Sequence, residues 1–203
     1  MRKSKVLKVF CINELLKLNN FANFIKIANT NNIKYALTSG SLVSLLTGYR
    51  KPTDGDFILD RTQTKKFLEL FPRSIITYDK ENFEGASIFP FAHKDIEVVE
   101  GGEVYSVGRS YNFEFTKLSQ EHALKAQLGE LEITILNPAD LILFKAILFR
   151  GKEKYKRDRE DILQIMKKVK IDCDYLARRF AEIGGDNIIS NRLENIVCED
   201  IKI

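Results

Sequence analysis

The sequence predicts an α+β protein, with a mixed β-sheet flanked by helices and a helical portion at the C-terminal end. Apolar residues alternate with polar ones, as in strands, between residues 35 and 136, and they recur at helical spacing before and after that region. The chain has 203 residues, of which 44% are hydrophobic, enough to bury a core. We therefore expect an α/β core with N-terminal helices over residues 1–136 and a helical portion over 137–203.

Composition argues against several classes of protein. No apolar run approaches the roughly 20 residues that cross a bilayer, so we expect no membrane partner. The three cysteines, Cys11, Cys173 and Cys198, are far apart and support neither a disulfide framework nor a zinc site. The first 16 residues are basic and then apolar, but polar residues interrupt the apolar part and no small-residue cleavage site follows. We interpret them as a helix of a cytoplasmic protein.

The N-terminal part of the chain contains a predicted strand, turn and helix in close succession. Helical spacing marks residues 4–18 and 20–30, and an apolar strand follows at 35–37. A small-residue turn over 38–41 then leads into a short apolar helix over 42–47, which Gly48 ends. Such a turn leaves backbone N–H groups free at the start of the helix, where they suit a phosphate group.

The remaining elements are predicted from the alternation of apolar and polar residues, from helix caps and from helix-breaking residues. We expect strands over residues 57–59, 75–78, 86–91, 94–99 and 131–136, and one or two more over 103–116. We expect a helix that Thr62 caps and that runs to Leu70, a short helix that begins at Ser119, and a helix over 139–149 that follows an Asn137 N-cap and Pro138. Further helices are expected over 157–169, 173–183 and 187–196.

Three carboxylates are candidate metal ligands. Asp54 and Asp56 lie two positions apart at the start of a strand, so they share one face with Cα atoms about 7 Å apart. Carboxylate oxygens in this arrangement suit Mg²⁺. A site for two metal ions usually takes a third carboxylate from a neighbouring strand. Glu97 is the first choice, and Asp95, which shares its face, is the alternative.

Basic residues concentrate in one segment. Residues 150–170 carry nine Lys or Arg and four Asp or Glu. This segment is either a solvated joint between helices or a contact surface for nucleic acid. Within it, Asp158 and Asp161 are expected to form structural ion pairs with Lys154, Arg157 or a residue of the core.

Lys145 is the one basic residue of an otherwise apolar predicted helix. Its ammonium group is either buried and paired or extended to the surface at the edge of the helix.

Two parts of the sequence resemble the nucleotidyltransferase superfamily, which has the polymerase-beta-like fold. The first is Gly40-Ser41 before a short helix, followed by the pattern G-x-R-x-x-T-D-x-D and a later strand with an acid. The second is the stretch over 130–145 together with the later Lys-Arg-Asp-Arg-Glu-Asp-Ile over 156–162. It resembles the abortive-infection (AbiEii-type) and minimal nucleotidyltransferases. The resemblance covers roughly residues 33–165.

The resemblance implies a Mg²⁺- or Mn²⁺-dependent enzyme that moves a nucleoside monophosphate from an NTP to an acceptor hydroxyl. The acceptor would be a tRNA, a protein or a small molecule, and the enzyme would be toxin-like, with an antitoxin as a candidate partner. The implied metal ligands are Asp54, Asp56 and Glu97. The implied nucleotide-binding residues are Ser39, Gly40, Ser41, Arg50, Thr53 and Lys145.

Two departures from the family pattern keep other hypotheses open. Gly55 stands between the two aspartates, where the family usually has an apolar residue, and glycine weakens a strand. The third acid is Glu97, where aspartate is more usual. The alternatives are a catalytically degenerate, antitoxin-like binding module and a nucleic-acid-binding protein that uses residues 150–170.

Overall fold

The fold is seen in a computed structural model, which describes residues 9–76, 90–93, 95–151 and 157–200. Parts of four predicted elements lie outside these residues: the first part of the N-terminal helix, the portions of two strands over 77–78 and 86–89, and the first residue, Lys94, of the strand over 94–99. Most of the basic residues between 150 and 157 lie outside them as well.

The first half of the chain alternates helices and short strands. Its elements are α1 (Ile12–Leu16), α2 (Phe21–Thr30), β1 (Tyr35–Leu37), α3 (Ser39–Thr47), β2 (Gly55–Leu59), a 3₁₀ helix (Arg61–Gln63), α4 (Thr64–Leu70), β3 (Ile75–Ile76), β4 (Pro90–His93) and β5 (Ile96–Val99).

The second half changes from strands to helices. Its elements are β6 (Gly102–Ser106), β7 (Arg109–Phe113), α5 (Lys117–His122), β8 (Leu124–Leu128), β9 (Leu131–Ile135), α6 (Pro138–Leu148), α7 (Asp158–Lys168), α8 (Cys173–Glu182) and α9 (Asn187–Asp200). The expected boundary at residue 136 falls between β9 and α6, where the helical portion begins. A division into two domains stays a prediction.

The sheet is mixed, which confirms the predicted fold class. Within the described residues, seven strands stand in the order β3-β4-β5-β2-β1-β9-β8, and β6 and β7 form a separate hairpin. Strand β2 is antiparallel to β1 and parallel to β5, and β1 is parallel to β9. This order places β1, β2 and β5, which carry the predicted site, side by side in the middle of the sheet.

The register between β2 and β5 brings two of the predicted acids together. Asp56 is paired with Glu97 across the two strands. Along β5, Ile96 and Val98 are buried, while Glu97 and Val99 on the opposite face are partly exposed. Because side chains alternate between the faces of a strand, Glu97 and Val99 project from the same side of the sheet.

The sheet is held between aromatic and aliphatic layers. The ring of Phe24 in α2 lies 4.4 Å from that of Phe57 in β2 and 5.4 Å from that of Phe71 after α4. Helix α6 is buried along almost its whole length. It starts as predicted, with the Asn137 side chain accepting a hydrogen bond from the backbone N–H of Ala139 and with Pro138 in the first turn.

Some local features differ from the prediction. Helix α1 begins only at Ile12, because Cys11 takes a left-handed conformation and the N–H of Phe10 bonds to Leu45 of α3. Thr62 does not cap α4, because it lies inside the preceding 3₁₀ helix. The cap of that 3₁₀ helix is Asp60, whose carboxylate accepts from the N–H and hydroxyl of Thr62. Strand β8 was not predicted, although its L-K-A-Q-L pattern alternates, and it pairs antiparallel with β9. In the described part of the chain, no helix is long and apolar enough to cross a membrane.

Candidate active site

A cleft of about 170 Å³ lies at the ends of β1, β2 and β5, under α6 and α7. It brings together residues that are far apart in the sequence. The predicted site residues that line it are Ser39, Gly40, Arg50, Thr53, Asp54, Asp56, Glu97 and Lys145. Ser41 and Asp95 do not line it. Residues that line it without having been assigned to the site include Thr38, Lys51, Val99, Phe144, Arg150, Arg157, Asp158 and Asp161.

The turn between β1 and α3 is tightly built. Ser39 has φ of 50°, a left-handed conformation that a residue other than glycine rarely adopts. Such backbone strain is concentrated at functional sites. At Gly40, a Cβ atom would lie 2.8 Å from Nη2 of Arg50, so a side chain there would displace the guanidinium group. The Arg50 guanidinium group therefore lies directly over the turn that the sequence predicts to bind phosphate.

Ser41 supports the turn rather than facing the cleft. Its side chain is buried, and its hydroxyl donates to the carbonyl of Thr38 at 2.9 Å. The same hydroxyl accepts from the backbone N–H of Asp56 at 3.1 Å, and the N–H of Ser41 lies 3.3 Å from the Asp56 carboxylate. These bonds fix the turn to the start of β2. The turn that is predicted to bind phosphate and the strand that carries predicted metal ligands are therefore held together.

The three carboxylates form one electrostatic group. Desolvation at the floor of the cleft, together with the charges of Asp54 and Glu97, raises the pKa of Asp56 to about 7. The N–H of Ser41 and the charge of Lys145 act in the opposite direction. Carboxylates that repel each other in this way have the donor chemistry that suits a divalent cation. Among the described residues, however, no three His, Cys, Asp or Glu side chains stand close enough to form a metal cluster.

The structure separates the two candidates for the third carboxylate. Glu97 lines the cleft. The Asp95 carboxylate accepts a hydrogen bond from the N–H of Asn19, before α2, at 3.1 Å. The assignment of Glu97 as a metal ligand stays a prediction, but its position is the one that the prediction requires.

A chain of buried ion pairs crosses the cleft. Lys145 Nζ lies 2.9 Å from Oδ1 of Asp158 and 2.8 Å from Oδ2 of Asp161. Oδ2 of Asp161 is also 2.9 Å from Nη2 of Arg50, and Arg150 bonds Asp158 through both its backbone N–H and its Nε. Lys145 is therefore buried and paired, and it is a core residue that pairs with both aspartates, as one of the predicted alternatives required. No pattern in the sequence indicated that Arg50 and Arg150 would join them.

In the described part of the chain, the buried side-chain polar atoms without a hydrogen-bond partner belong to residues of this cleft. Within the described residues, three buried side-chain atoms lack a hydrogen-bond partner: Thr38 Oγ1, Arg50 Nε and Asp161 Oδ1. All three residues line the cleft. Because an unpaired buried polar group is costly, these atoms indicate a place where water or a ligand supplies the missing partners.

The basic segment is used partly for structure. Arg150 holds Asp158, and Lys168 at the end of α7 donates to the carbonyl of Thr47, which closes the C-terminal end of α3. Arg157 is exposed at the rim of the cleft.

Comparison with known proteins supports the fold. A search among models of protein families finds no match, and a search of curated proteins finds none either. Among solved structures, the chain is similar to an antigenic nucleotidyltransferase-like protein from Paracoccidioides brasiliensis. The match covers 95% of this chain and 91% of that protein, with a TM-score of 0.56 at 15% sequence identity.

Two further solved structures match less closely. A lincosamide antibiotic adenylyltransferase with bound lincomycin has a TM-score of 0.48 at 16% identity, covering 79% of this chain and 99% of its own. The antibiotic-resistance factor ANT(2'')-Ia has a TM-score of 0.49 at 9% identity, covering 93% of each chain. The match to the Paracoccidioides protein shows that the chain has a nucleotidyltransferase-like fold.

Proposed function

We propose that the protein is a nucleotidyltransferase that moves a nucleoside monophosphate from an NTP to an acceptor hydroxyl and releases pyrophosphate. The observation that carries this proposal is the convergence, in one cleft, of a strained strand-to-helix turn with the carboxylates of Asp54, Asp56 and Glu97. The acceptor would be a tRNA, a protein or a small molecule. A toxin-like role with an antitoxin partner follows only from the sequence resemblance.

The turn and the carboxylates would have different roles in binding the nucleotide. Backbone N–H groups at the start of α3, around Ser39 and Gly40, would bind the triphosphate. Asp54, Asp56 and Glu97 would hold Mg²⁺, because their oxygens are hard donors and their mutual repulsion calls for a cation. When bound, the metal would supply neutralisation of the phosphate charge. Glu97 would also accept the proton of the attacking hydroxyl.

Arg50 and Lys145 would keep positive charge beside the triphosphate. Both are fixed by Asp161, so neither has to be ordered when the nucleotide arrives. Fixed charges of this kind are effective in phosphoryl and nucleotidyl transfer, where positioning and electrostatics do most of the work. Arg50 can exchange part of its contact with Asp161 for a phosphate oxygen, since its Nε has no partner.

The two acids of β5 provide a matched test. The protein is incubated with each labelled NTP, Mg²⁺ or Mn²⁺, and total RNA or cell lysate. We expect label transfer that Glu97→Gln reduces by at least about 100-fold, a typical loss for a group acting in proton transfer. Asp95→Asn, with its side chain away from the cleft, should retain activity. Loss of activity in Asp95→Asn but not in Glu97→Gln would contradict the assignment of the site.

A non-catalytic binding module is the second candidate. It is favoured by Glu97, which stands where the nucleotidyltransferases that the sequence resembles usually have aspartate. Such a module would bind NTP in calorimetry with metal present but would transfer no label, so the label-transfer assay distinguishes it from the enzyme. Absence of NTP binding in the presence of metal would contradict both. RNA binding that depends on salt and is unaffected by Asp56→Asn would instead favour a nucleic-acid-binding role.

A further inference from the structure

One end of the cleft is apolar, in contrast to its charged remainder. Val99 of β5 and Phe144 of α6 line this end. The ring of Phe144 is stacked on that of Phe113, with centroids 4.7 Å apart and planes inclined by 28°. Phe113 lies behind Phe144 and does not line the cleft. The cleft therefore meets an aromatic side chain that is already supported from behind.

A buried polar atom without a hydrogen-bond partner lies beside these apolar residues. Thr38 is 2% exposed, and its Oγ1 is one of the buried atoms without a hydrogen-bond partner. Thr38, Val99 and Phe144 line both the cleft and a void of about 10 Å³ behind it. The side chain of Thr38 does not cap α3 either. An apolar surface with one unsatisfied hydroxyl suits a flat aromatic ligand with polar atoms at its edge.

The apolar end also lies at a suitable place along β5. Val99 follows Glu97 by two residues on the same face, so their Cα atoms are about 7 Å apart. A nucleotide whose phosphates lie near Gly40 and Glu97 would extend its base along the cleft. Of the parts of an NTP, only the base has an aromatic face to stack and polar atoms at its edge.

We propose that Phe144 and Val99 bind the base of the NTP, with Phe144 as the stacking surface and Thr38 Oγ1 as a hydrogen-bond partner at the edge of the base. This assignment rests on the proposed function, because it takes the triphosphate to lie at the Ser39–Gly40 turn. It makes Phe144 and Thr38 determinants of nucleotide affinity and of the choice of base, separate from the residues that hold the phosphates.

The test compares ATP with inorganic tripolyphosphate, which has the phosphates but no base. Calorimetry in excess Mg²⁺ gives the two dissociation constants for wild type, Phe144→Leu and Phe113→Leu, and the same titrations are run with GTP, CTP and UTP. Phe144→Leu removes the stacking face that the cleft meets. Phe113→Leu makes the same chemical change one ring further back, so it is the matched control for altered packing.

We expect Phe144→Leu to weaken ATP binding by roughly 5- to 150-fold, the range for loss of one base–aromatic stack. It should leave tripolyphosphate binding unchanged, and Phe113→Leu should preserve the ratio of the two constants. Thr38→Val, which keeps the shape of the side chain but removes the hydroxyl, should change the order of preference among the four NTPs.

Three outcomes would overturn the inference. Equal weakening of ATP and tripolyphosphate by Phe144→Leu would give that residue a structural role only. An unchanged ATP constant in Phe144→Leu would place the base elsewhere and leave this end of the cleft to the acceptor. Binding of neither ATP nor tripolyphosphate by the wild-type protein would overturn the proposed function together with the inference.

Discussion

At the scale of single residues, the glycine between the two aspartates has a packing role. A Cβ atom on Gly55 would lie 2.7 Å from Cδ2 of Phe21 and 3.3 Å from Cε2 of Phe57. Phe21 opens α2 and is fully buried. The absence of a side chain at Gly55 thus lets α2 pack against the start of β2, and glycine there gives no sign of a degenerate site. Gly55 is paired in register with Ile96, so β2 is formed from its first residue.

Gly55→Ala should therefore destabilise the protein. The added methyl group would push against a buried ring, which typically costs about 1–3 kcal/mol. At this chain length that lowers the melting temperature by several degrees. In a Phe21→Leu background the same substitution should cost less, because the ring atoms that it meets are gone. Equal losses of melting temperature in the two backgrounds would show that the Phe21 contact is not the reason for the glycine.

At the scale of elements, the ion pairs of Asp158 join α6 and α7. Burial by itself would raise the pKa of Asp158, but the charges and hydrogen bonds of Lys145 and Arg150 outweigh it and hold the pKa below its ordinary value. A carboxylate with a lowered pKa in the folded state stabilises the fold above the pKa of the unfolded chain, about 4 for aspartate. That stabilisation is lost as the pH falls through the lower, folded value.

The variant Asp158→Asn should reveal this dependence. Above about pH 5 we expect it to be less stable than wild type by about 3 kcal/mol, because Lys145 and Arg150 lose a shared buried anion, although Lys145 keeps its pair with Asp161. Below about pH 4 the difference should shrink, since the wild-type carboxylate becomes protonated as well. Urea unfolding at pH 2–7 measures the difference, and exposed Glu130→Gln is the control, for which it should stay near zero. A constant difference at all pH values would contradict the lowered pKa.

The sequence predicted the elements of the site better than their contacts. Strand β1, the turn and the two aspartates were found because period-two alternation and small-residue turns are local signals. The strand over 124–128 was missed because Leu, Lys, Ala and Gln all have high helix propensity, so its sequence does not stand out from the helix before it. The partners of Lys145 were only partly foreseen, because an ion pair between Arg50 and Asp161 joins residues 111 positions apart and leaves no local pattern. The packing of Phe21 on Gly55 is likewise a tertiary contact.

At the scale of the whole molecule, a second buried ion pair attaches the C-terminal helices. The carboxylate of Asp140 in α6 accepts hydrogen bonds from Nε of Arg179 in α8, at 2.6 Å, and from the hydroxyl of Tyr175, also at 2.6 Å. Arg179 also bonds Glu182 and the carbonyl of Glu114 after β7. Burial raises the pKa of Asp140, and these donors oppose the rise only in part. This pair connects α8 to the same helix that forms the roof of the cleft.

Arg179→Met tests that connection. The methionine keeps an apolar stem but leaves Asp140 as a buried carboxylate without its cation, a loss of roughly 3–5 kcal/mol. The neighbouring residue Arg178 is exposed and bonds the ring of His122, so Arg178→Met should change the free energy of unfolding by only about 1 kcal/mol or less. Denaturant unfolding of both variants gives the comparison. A small loss in Arg179→Met would mean that apolar packing alone holds α8 in place.

If the cleft transfers a nucleoside monophosphate, the fate of a label placed at different phosphates of the NTP will show it. NTPs labelled at the α-phosphate or at the γ-phosphate are incubated separately with the protein, Mg²⁺ and cell extract. We expect the α-label to appear on an acceptor and the γ-label to leave as pyrophosphate, with both events lost in Asp56→Asn. Transfer of the γ-label, or transfer that persists in Asp56→Asn, would contradict the account.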